Sequence, residues 1–402
     1  MNVLNKNKPA IQCDLFCVVI DNFGDAGICW RLAKQLVDEF KWSVRLIIDQ
    51  IDPLRAVAGV EEINQRLIDD SLKNVITETI TPLHIAVWND DIAYTHANVV
   101  IEAFACNIPH SYTQAMAQHT VPPLWLNLEY LSAENWIYAC HLKPSPHPQF
   151  NLKKYFFFPG FTAQTGGLLR ENYVNEWLPT TRQQRLSWAK KMGIDCDDQT
   201  TLISIFAYPN PAILALVNIF SQNLLSRTVI FLPDSPATRM LAPQFEQKHL
   251  VVGQSYQRGQ CCVKIIPFSN QTEYDELLRH MDFNFVRGED SFVRAQWARR
   301  PMCWHIHPQK DQTHLQKLNA FLALYTSDLA SPMQKIILAF FHLWNNYHPE
   351  DFDRLKITWD KILENWQTIE EHTINWFEHC KKKDHLAANL VAFFDQLQSD
   401  KK

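Results

Sequence analysis

The chain has 402 residues, too many for one ordinary hydrophobic core and suited to two domains of nearly equal size. Apolar residues make up 47%, with 13 Trp and 24 Phe, which argues against long disorder, and the net charge of −5 argues against a nucleic-acid surface, which needs a basic stripe. The N-terminal MNVLNKNKPAIQ has no apolar signal region and no run approaches the ~18 apolar residues of a membrane helix, so a soluble cytoplasmic protein without a membrane partner is expected.

The run DLFCVVI (Asp14 to Ile20) is nearly all apolar and rich in β-branched residues, as a buried parallel strand should be. The loop DNFGDAG (Asp21 to Gly27) follows, then ICWRLAKQLVDEF (Ile28 to Phe40) with apolar residues at helical spacing, then the strand SVRLIID. This βαβ unit opens an α/β domain. AVW (Ala86 to Trp88), NVVIEAF (Asn98 to Phe104) and LWLNL (Leu124 to Leu128) read as further strands. FFFPGFTAQTGGLLRE (Phe156 to Glu171) concentrates Gly160, Gly166 and Gly167 in a chain with only 10 glycines, which marks a domain junction or a functional loop.

A second α/β domain is expected from about Tyr173. RQQRLSWAKKMGI reads as a helix, TLISIFAYPNP (Thr201 to Pro211) as a strand entering a loop, and Val229 to Leu232 and Val263 to Ile266 as strands. Phe283 to Val286 is a strand that breaks at Arg287-Gly288-Glu289-Asp290 into a helix starting near Ser291; Met302 to Ile306 is the next strand, and another helix starts at about Asp311. From Pro332 onward the pattern is helical, with Ile337 to Trp344 and Leu386 to Leu397 strongly periodic.

The 10 cysteines include no CxxC pair and no zinc-like spacing, and they read as reduced, mostly buried thiols. His305, His307 and His314 lack a Cys or carboxylate cluster to complete a metal site, so no metal is expected.

Ligands of doubly wound sheets bind beyond the carboxyl ends of the strands, which draws attention to two loops. In the first domain Asp21 and Asp25 lie four apart in a turn after a strand, placed to act as a general base and its partner; Asp25 as a helix cap is the competing role. In the second domain Ser291 and the amides after it, helped by Arg287, are suited to hold a diphosphate at a helix start. Asp290 is a candidate joint cap with Ser291, which leaves Glu289 to meet a bound ligand. Phe268 and Gln271 follow another strand, where a ring and an amide suit a nucleobase. Phe206 and Tyr208 occupy the equivalent loop of an earlier strand, with the tyrosine hydroxyl a candidate phosphate donor. Phe268 as core and Tyr208 as core edge are the competing roles.

The strand-turn-helix-Pro-strand plan resembles the nucleotide-sugar half of GT-B glycosyltransferases. Longer blocks narrow the resemblance to a family: VIDNFGDAGICWRLAKQL, WLNLEYLSAENW (Trp125 to Trp136), YFFFPGFTAQTGGLLRE, and FNFVRGEDSFVRAQWA with WHIHPQKDQTHLQKL. The chain is similar to the protein-arginine rhamnosyltransferases that modify bacterial elongation factor P. That resemblance implies an α/β GT-B fold of two doubly wound Rossmann-like domains facing across a cleft. An acceptor-binding domain is expected over residues 1–172, completed by a C-terminal helix at about 385–400, and a nucleotide-sugar domain over 173–384.

The resemblance also implies transfer of rhamnose from dTDP-β-L-rhamnose to an arginine on domain I of elongation factor P. Inversion at the sugar carbon is implied, with no cofactor, and the modification activates the factor for translation of difficult sequences. By motif, Asp25 matches the general base, Asp21 its essential neighbour and Glu289 the essential glutamate. Donor contacts are implied for Asn22, Phe23, Gly24 and Asp25, for Tyr208, for Asn270, Gln271 and Thr272, and for Arg287, Gly288, Glu289, Asp290 and Ser291. His307 stands where an aromatic residue is expected. A related enzyme with another nucleotide sugar or small acceptor would share the RGEDS loop, and a binding module for the factor or a nucleotide would need no turnover.

Overall fold

A computed structural model of the chain describes residues 10–21, 23–67, 82–89, 92, 94, 97–223, 226–309 and 311–400. The chain divides into two compact units, Met1–Asn175 with Lys383–Lys402, and Glu176–Lys382.

The first unit holds β1 (Gln12–Cys17), β2 (Ser43–Ile48), β3 (Leu83–Val87), β4 (Val99–Ala103), β5 (Leu124–Leu128), β6 (Pro144–Pro146) and β7 (Lys153–Phe157). The sheet order is β3-β2-β1-β4-β5-β7-β6, parallel throughout except for the β6–β7 edge. All five residues of β4 and of β5 are buried, which is why the central strands read as near-continuous apolar runs. The chain winds from β1 towards β3 on one side and from β4 towards β7 on the other. The switch point therefore falls between β1 and β4, the place where such sheets form a ligand crevice outside the carboxyl ends of their strands. Helix α1 (Phe23–Phe40) follows β1 and starts five residues earlier than the expected Ile28.

The second unit holds β8 (Thr201–Ile205), β9 (Thr228–Pro233), β10 (Ser255–Arg258), β11 (Cys261–Ile266), β12 (Phe283–Arg287) and β13 (Met302–His305). Their order is β10-β11-β9-β8-β12-β13, with only the β10 edge antiparallel, so here the switch point lies between β8 and β12. Helices α2 (Gln271–His280), α3 (Asp290–Ala298) and α4 (Thr313–Tyr325) follow β11, β12 and β13. From Ser291 on, every residue of α3 is buried. Its Arg294 makes a two-pronged pair with Asp275 of α2, at 2.8 and 2.7 Å, so the buried guanidinium is neutralised and the two helix starts are held side by side.

After three more helices (Ser331–Asn345, Phe352–Glu364 and Trp366–Lys381), α5 (Leu386–Ser399) returns to the first unit. The glycine-bearing stretch is its dock. The Leu386 N–H donates to the Leu168 carbonyl at 2.9 Å and the Asn389 amide to the Gly166 carbonyl at 3.1 Å. Gly167 has φ +79°, and a Cβ there would stand 2.4 Å from the Asp384 carbonyl oxygen, so the close approach requires glycine. Burial pushes the His385 imidazole down to about 4, which keeps it neutral where its Nδ1 accepts the Ala388 N–H and caps α5. Trp42 and Tyr155 then pack edge-on against Phe394 and Phe393.

Among the described residues no helix is long and apolar enough to cross a membrane. The cysteines are free thiols, all buried apart from the half-buried Cys106 and Cys140.

Candidate active site

In the first unit the chain leaves β1 and turns into α1 through Asp21. The Gly24 N–H donates to the Asp21 carbonyl at 2.8 Å, and a Cβ on residue 24 would sit 3.1 Å from Asp21 Oδ2. Glycine at this place lets the Asp21 carboxylate lie against the first turn of the helix. Asp25 belongs to that turn, and its Oδ2 accepts the backbone N–H groups of Ile20 at 2.8 Å and Asp21 at 2.7 Å. Asp25 therefore does not cap from outside, as the competing reading had it. It reaches back from inside the helix and ties the loop down, in the manner of an acidic residue in a capping box.

Burial pushes the Asp25 carboxyl above its ordinary range. The two backbone N–H groups oppose the rise, the Asp21 charge adds to it, and a hydrogen bond from Tyr130 again opposes it. A carboxylate with a raised pKa is a better proton acceptor. Tyr130 lies two residues beyond β5, and its ring stacks on Phe104, just after β4, at 4.4 Å between centroids and 13° between planes. Tyr130 stands inside one of the blocks that carry the family resemblance, yet its sequence neighbours reveal no role; the signal was its place after the carboxyl end of a central strand.

In the second unit Arg287 ends β12, and Gly288 turns the chain with φ +60°. The turn is fixed from behind: Trp304 Nε1 donates to the Gly288 carbonyl at 2.7 Å, and the Trp304 ring stacks on Phe292 of α3 at 3.9 Å. The Arg287 guanidinium lies over the rings of Phe206 and Tyr208, 4.4 and 4.8 Å from their centroids, in the loop after β8. Two aromatic faces and a planar cation thus meet at the switch point, a surface suited to an aromatic or anionic ligand. Tyr208 meets the rings of His305 and His307 edge-on at 5.3 and 5.1 Å. Burial, with the Arg287 charge next, pushes His305 down to about 3, so it stays neutral beside the guanidinium.

Several expectations change at this turn. Glu289 is not left to a ligand alone, because Lys317 of α4 donates to its carboxylate at 3.0 Å in a mostly buried pair. Asp290 does not cap α3; it is the first helical residue, after a Glu289 that makes no side-chain cap. The Gln271 side-chain amide donates to Asp290 at 3.3 Å, which joins the starts of α2 and α3. Asn270 caps α2 in a reciprocal box with Glu273, at 3.0 and 3.1 Å, so its side chain is engaged in the helix start. Thr272 is exposed in the first turn of that helix. Phe268, just before the α2 start, is 37% exposed, so it is not a plain core residue. Phe23 and Gly24 are half-buried in the first turn of α1, and Asn22 lies outside the described residues. Among the described residues no group of three or more His, Cys, Asp or Glu side chains is placed to hold a metal ion.

The family model for the Elongation-Factor P (EF-P) rhamnosyltransferase EarP matches residues 13–395. The chain belongs to this family. A protein-arginine rhamnosyltransferase of Pseudomonas putida is 37% identical over 384 residues, covering 95% of this chain and 98% of that protein. One from Shewanella oneidensis is 37% identical over 408 residues, with 97% and 99% covered. A solved structure described as the structural basis for EarP-mediated arginine glycosylation of translation elongation factor EF-P matches with a TM-score of 0.65 at 28% identity, covering 96% of this chain and 99% of that one. The spinosyn rhamnosyltransferase SpnG in complex with thymidine diphosphate matches with a TM-score of 0.52 at 11% identity, a likeness of fold alone. Both mostly parallel, helix-covered sheets are those of the GT-B glycosyltransferases, and the family members share them.

Proposed function

We propose that this chain transfers L-rhamnose from dTDP-β-L-rhamnose to an arginine side chain on domain I of elongation factor P, with inversion at the sugar carbon and without a metal. The family match over residues 13–395 supports the activity. The placement of Asp25 and Arg287, each at the switch point of its own sheet, supports the division of labour.

A guanidinium has delocalised lone pairs and is protonated at neutral pH, so it is a poor nucleophile until a base takes a proton from it. Asp25 is that base, held by the Ile20 and Asp21 N–H groups and made more basic by burial. Asp21 is its partner in gripping the planar fork of the acceptor. As the new bond from nitrogen to the anomeric carbon forms, the bond from that carbon to the diphosphate oxygen breaks, and dTDP leaves with both bonding electrons. The proton lost by the guanidinium goes to Asp25. The growing charge on the diphosphate is met by Arg287 and the first amides of α3, which need no reorganisation during the step. Phe268 and Gln271 take the nucleobase, and Tyr208 a phosphate oxygen. Glu289, oriented by Lys317, organises the donor side. One displacement inverts the carbon and leaves no covalent intermediate.

The test incubates the purified chain with dTDP-rhamnose and unmodified elongation factor P and reads intact mass. A gain of one deoxyhexose is expected, with none when the target arginine is replaced by lysine, whose ammonium is a point charge on a flexible stem. No gain on the arginine form, in the presence of an active control enzyme, would overturn the reading.

A further inference from the structure

The reaction above accounts for Asp25 but not for what aims it. Both hydrogen bonds from the Ile20 and Asp21 amides fall on one oxygen, Oδ2, so they fix that atom and leave rotation of the carboxylate to other groups. Tyr130 is such a group, since its side chain also bonds this carboxylate. Its own position is set by the ring of Phe104, stacked on it at 4.4 Å.

Phe104 in turn sits in an unusual backbone. Phe104, Ala105 and Asn107 have φ of 56°, 53° and 55°, so three of four consecutive residues are non-glycine residues in the left-handed region. Such a turn persists only where its surroundings over-determine it. Here they do. The Phe104 N–H donates to the Leu128 carbonyl at 2.7 Å, the Ala105 N–H to Asn127 Oδ1 at 3.1 Å and the Asn107 N–H to Glu102 Oε1 at 2.8 Å. Glu102 is itself buried and held by Lys154 at 3.0 Å. Side chains from β4, β5 and β7 thus converge on one turn, whose outward product is the placement of an aromatic ring behind Tyr130.

We propose that Tyr130, backed by the Phe104 ring on this strained turn, is a positioning residue that holds the Asp25 carboxylate in the orientation that receives the acceptor's proton. The inference rests on Asp25 being the base. Among the described residues, other titratable groups also act on this carboxylate or answer to it. Asp21 contributes a like charge from the preceding loop. Cys29, one turn along α1, is close enough to feel the Asp25 charge and hydrogen-bonds with Cys17. Burial pushes the Cys29 and Cys106 thiols up, so both are neutral. Among the described residues, Tyr130 then supplies a side-chain hydrogen bond that favours the charged form of the base.

The experiment measures the single-turnover transfer rate to intact elongation factor P as a function of pH. Tyr130→Phe keeps the ring on Phe104 and removes the hydroxyl. Without that donor the charged carboxylate is less favoured, so the acidic limb of the profile moves to higher pH. The rate below the limb falls about tenfold, with recovery above it. Incorporation of 3-fluorotyrosine at position 130 keeps the hydroxyl and makes it a stronger donor, so the limb moves to lower pH; this arm also serves if Tyr130→Phe folds poorly. A limb that stays in place in both proteins, while Asp25→Asn cuts transfer by about 10²-fold or more, overturns the role of Tyr130 and leaves the base assignment standing. Transfer at close to the wild-type rate in Asp25→Asn removes the base assignment, and the inference with it.

Discussion

Ser291 and Arg287 close on each other across the turn that ends β12: the Ser291 hydroxyl donates to the Arg287 carbonyl and accepts the Arg287 N–H at 3.0 Å. The hydroxyl is therefore engaged inside the turn, and its contribution to diphosphate binding is to present Arg287 and the α3 amides. Ser291→Ala is expected to weaken thymidine diphosphate binding by roughly threefold to tenfold in calorimetry, the size of one lost hydrogen bond. Ser291→Thr should restore it. Unchanged affinity in the alanine variant would show that the turn holds without this bond.

Arg287 should resist replacement by lysine. A planar guanidinium lies over Phe206 and Tyr208 at 4.4 and 4.8 Å, and an ammonium retains the charge but not the plane. Arg287→Lys is expected to lose about tenfold in thymidine diphosphate affinity, of the order of a cation–π contact. Wild-type transfer should be indifferent to a chelator. Activity lost to chelation and restored by magnesium would contradict the assignment of leaving-group charge to Arg287 and the helix start.

Asp25→Asn should reduce turnover by about 10²-fold or more while donor affinity holds, since the amide keeps the acceptor for the two backbone N–H groups but no basicity. The sign of the pH effect follows from the raised pKa. A base must be deprotonated, so wild-type transfer rises with pH through a value above the ordinary carboxylate range. Stability runs the other way. The unfolded chain releases this proton at lower pH than the folded one, so this group's contribution to stability is present below the unfolded value and is lost as pH rises to the folded value. Melting temperatures across pH should therefore differ between wild type and Asp25→Asn most on the alkaline side, with the variant no less stable. A variant that melts much lower and keeps its rate when folded would make Asp25 a structural residue.

Gly167→Ala tests the dock of α5. With φ +79° and a carbonyl oxygen 2.4 Å from the added carbon, the change should cost the first unit about 1–3 kcal/mol in denaturant unfolding. Thymidine diphosphate binding, a property of the second unit on the reading above, should be unchanged. An equal loss in both measurements would indicate that the glycine serves the donor side as well.

The central strands and the two loops that matter were legible because parallel strands buried on both faces leave long apolar runs, and the turns after them carry charged residues at switch points. The start of α1 was not. Gly24 and Gly27 look like turn residues, but both are inside the helix, and at Gly24 an added Cβ would stand only 3.1 Å from Asp21 Oδ2. Strand β7 was hidden by Lys153 and Lys154 at its head; Lys154 reaches over the Trp125 ring to pair with Glu102, a contact between residues 52 apart. The pairs Glu289–Lys317 and Asp25–Tyr130 were invisible for the same reason. Local spacing shows which residue types stand near one another along the chain, whereas these partners are brought together by the order of the strands.

Helix α5 carries a consequence for how the molecule is made. The segment that packs Phe393 and Phe394 onto Tyr155 and Trp42 is translated after all of Glu176–Lys382. Domains generally fold as they emerge from the ribosome, first-made first. Here the order is inverted for one unit: the second can close its core while the first still waits for its last helix, with the apolar surface around Trp42 and Tyr155 uncovered. A nascent chain arrested before Leu386 should therefore expose a protease-sensitive first unit beside a resistant second one.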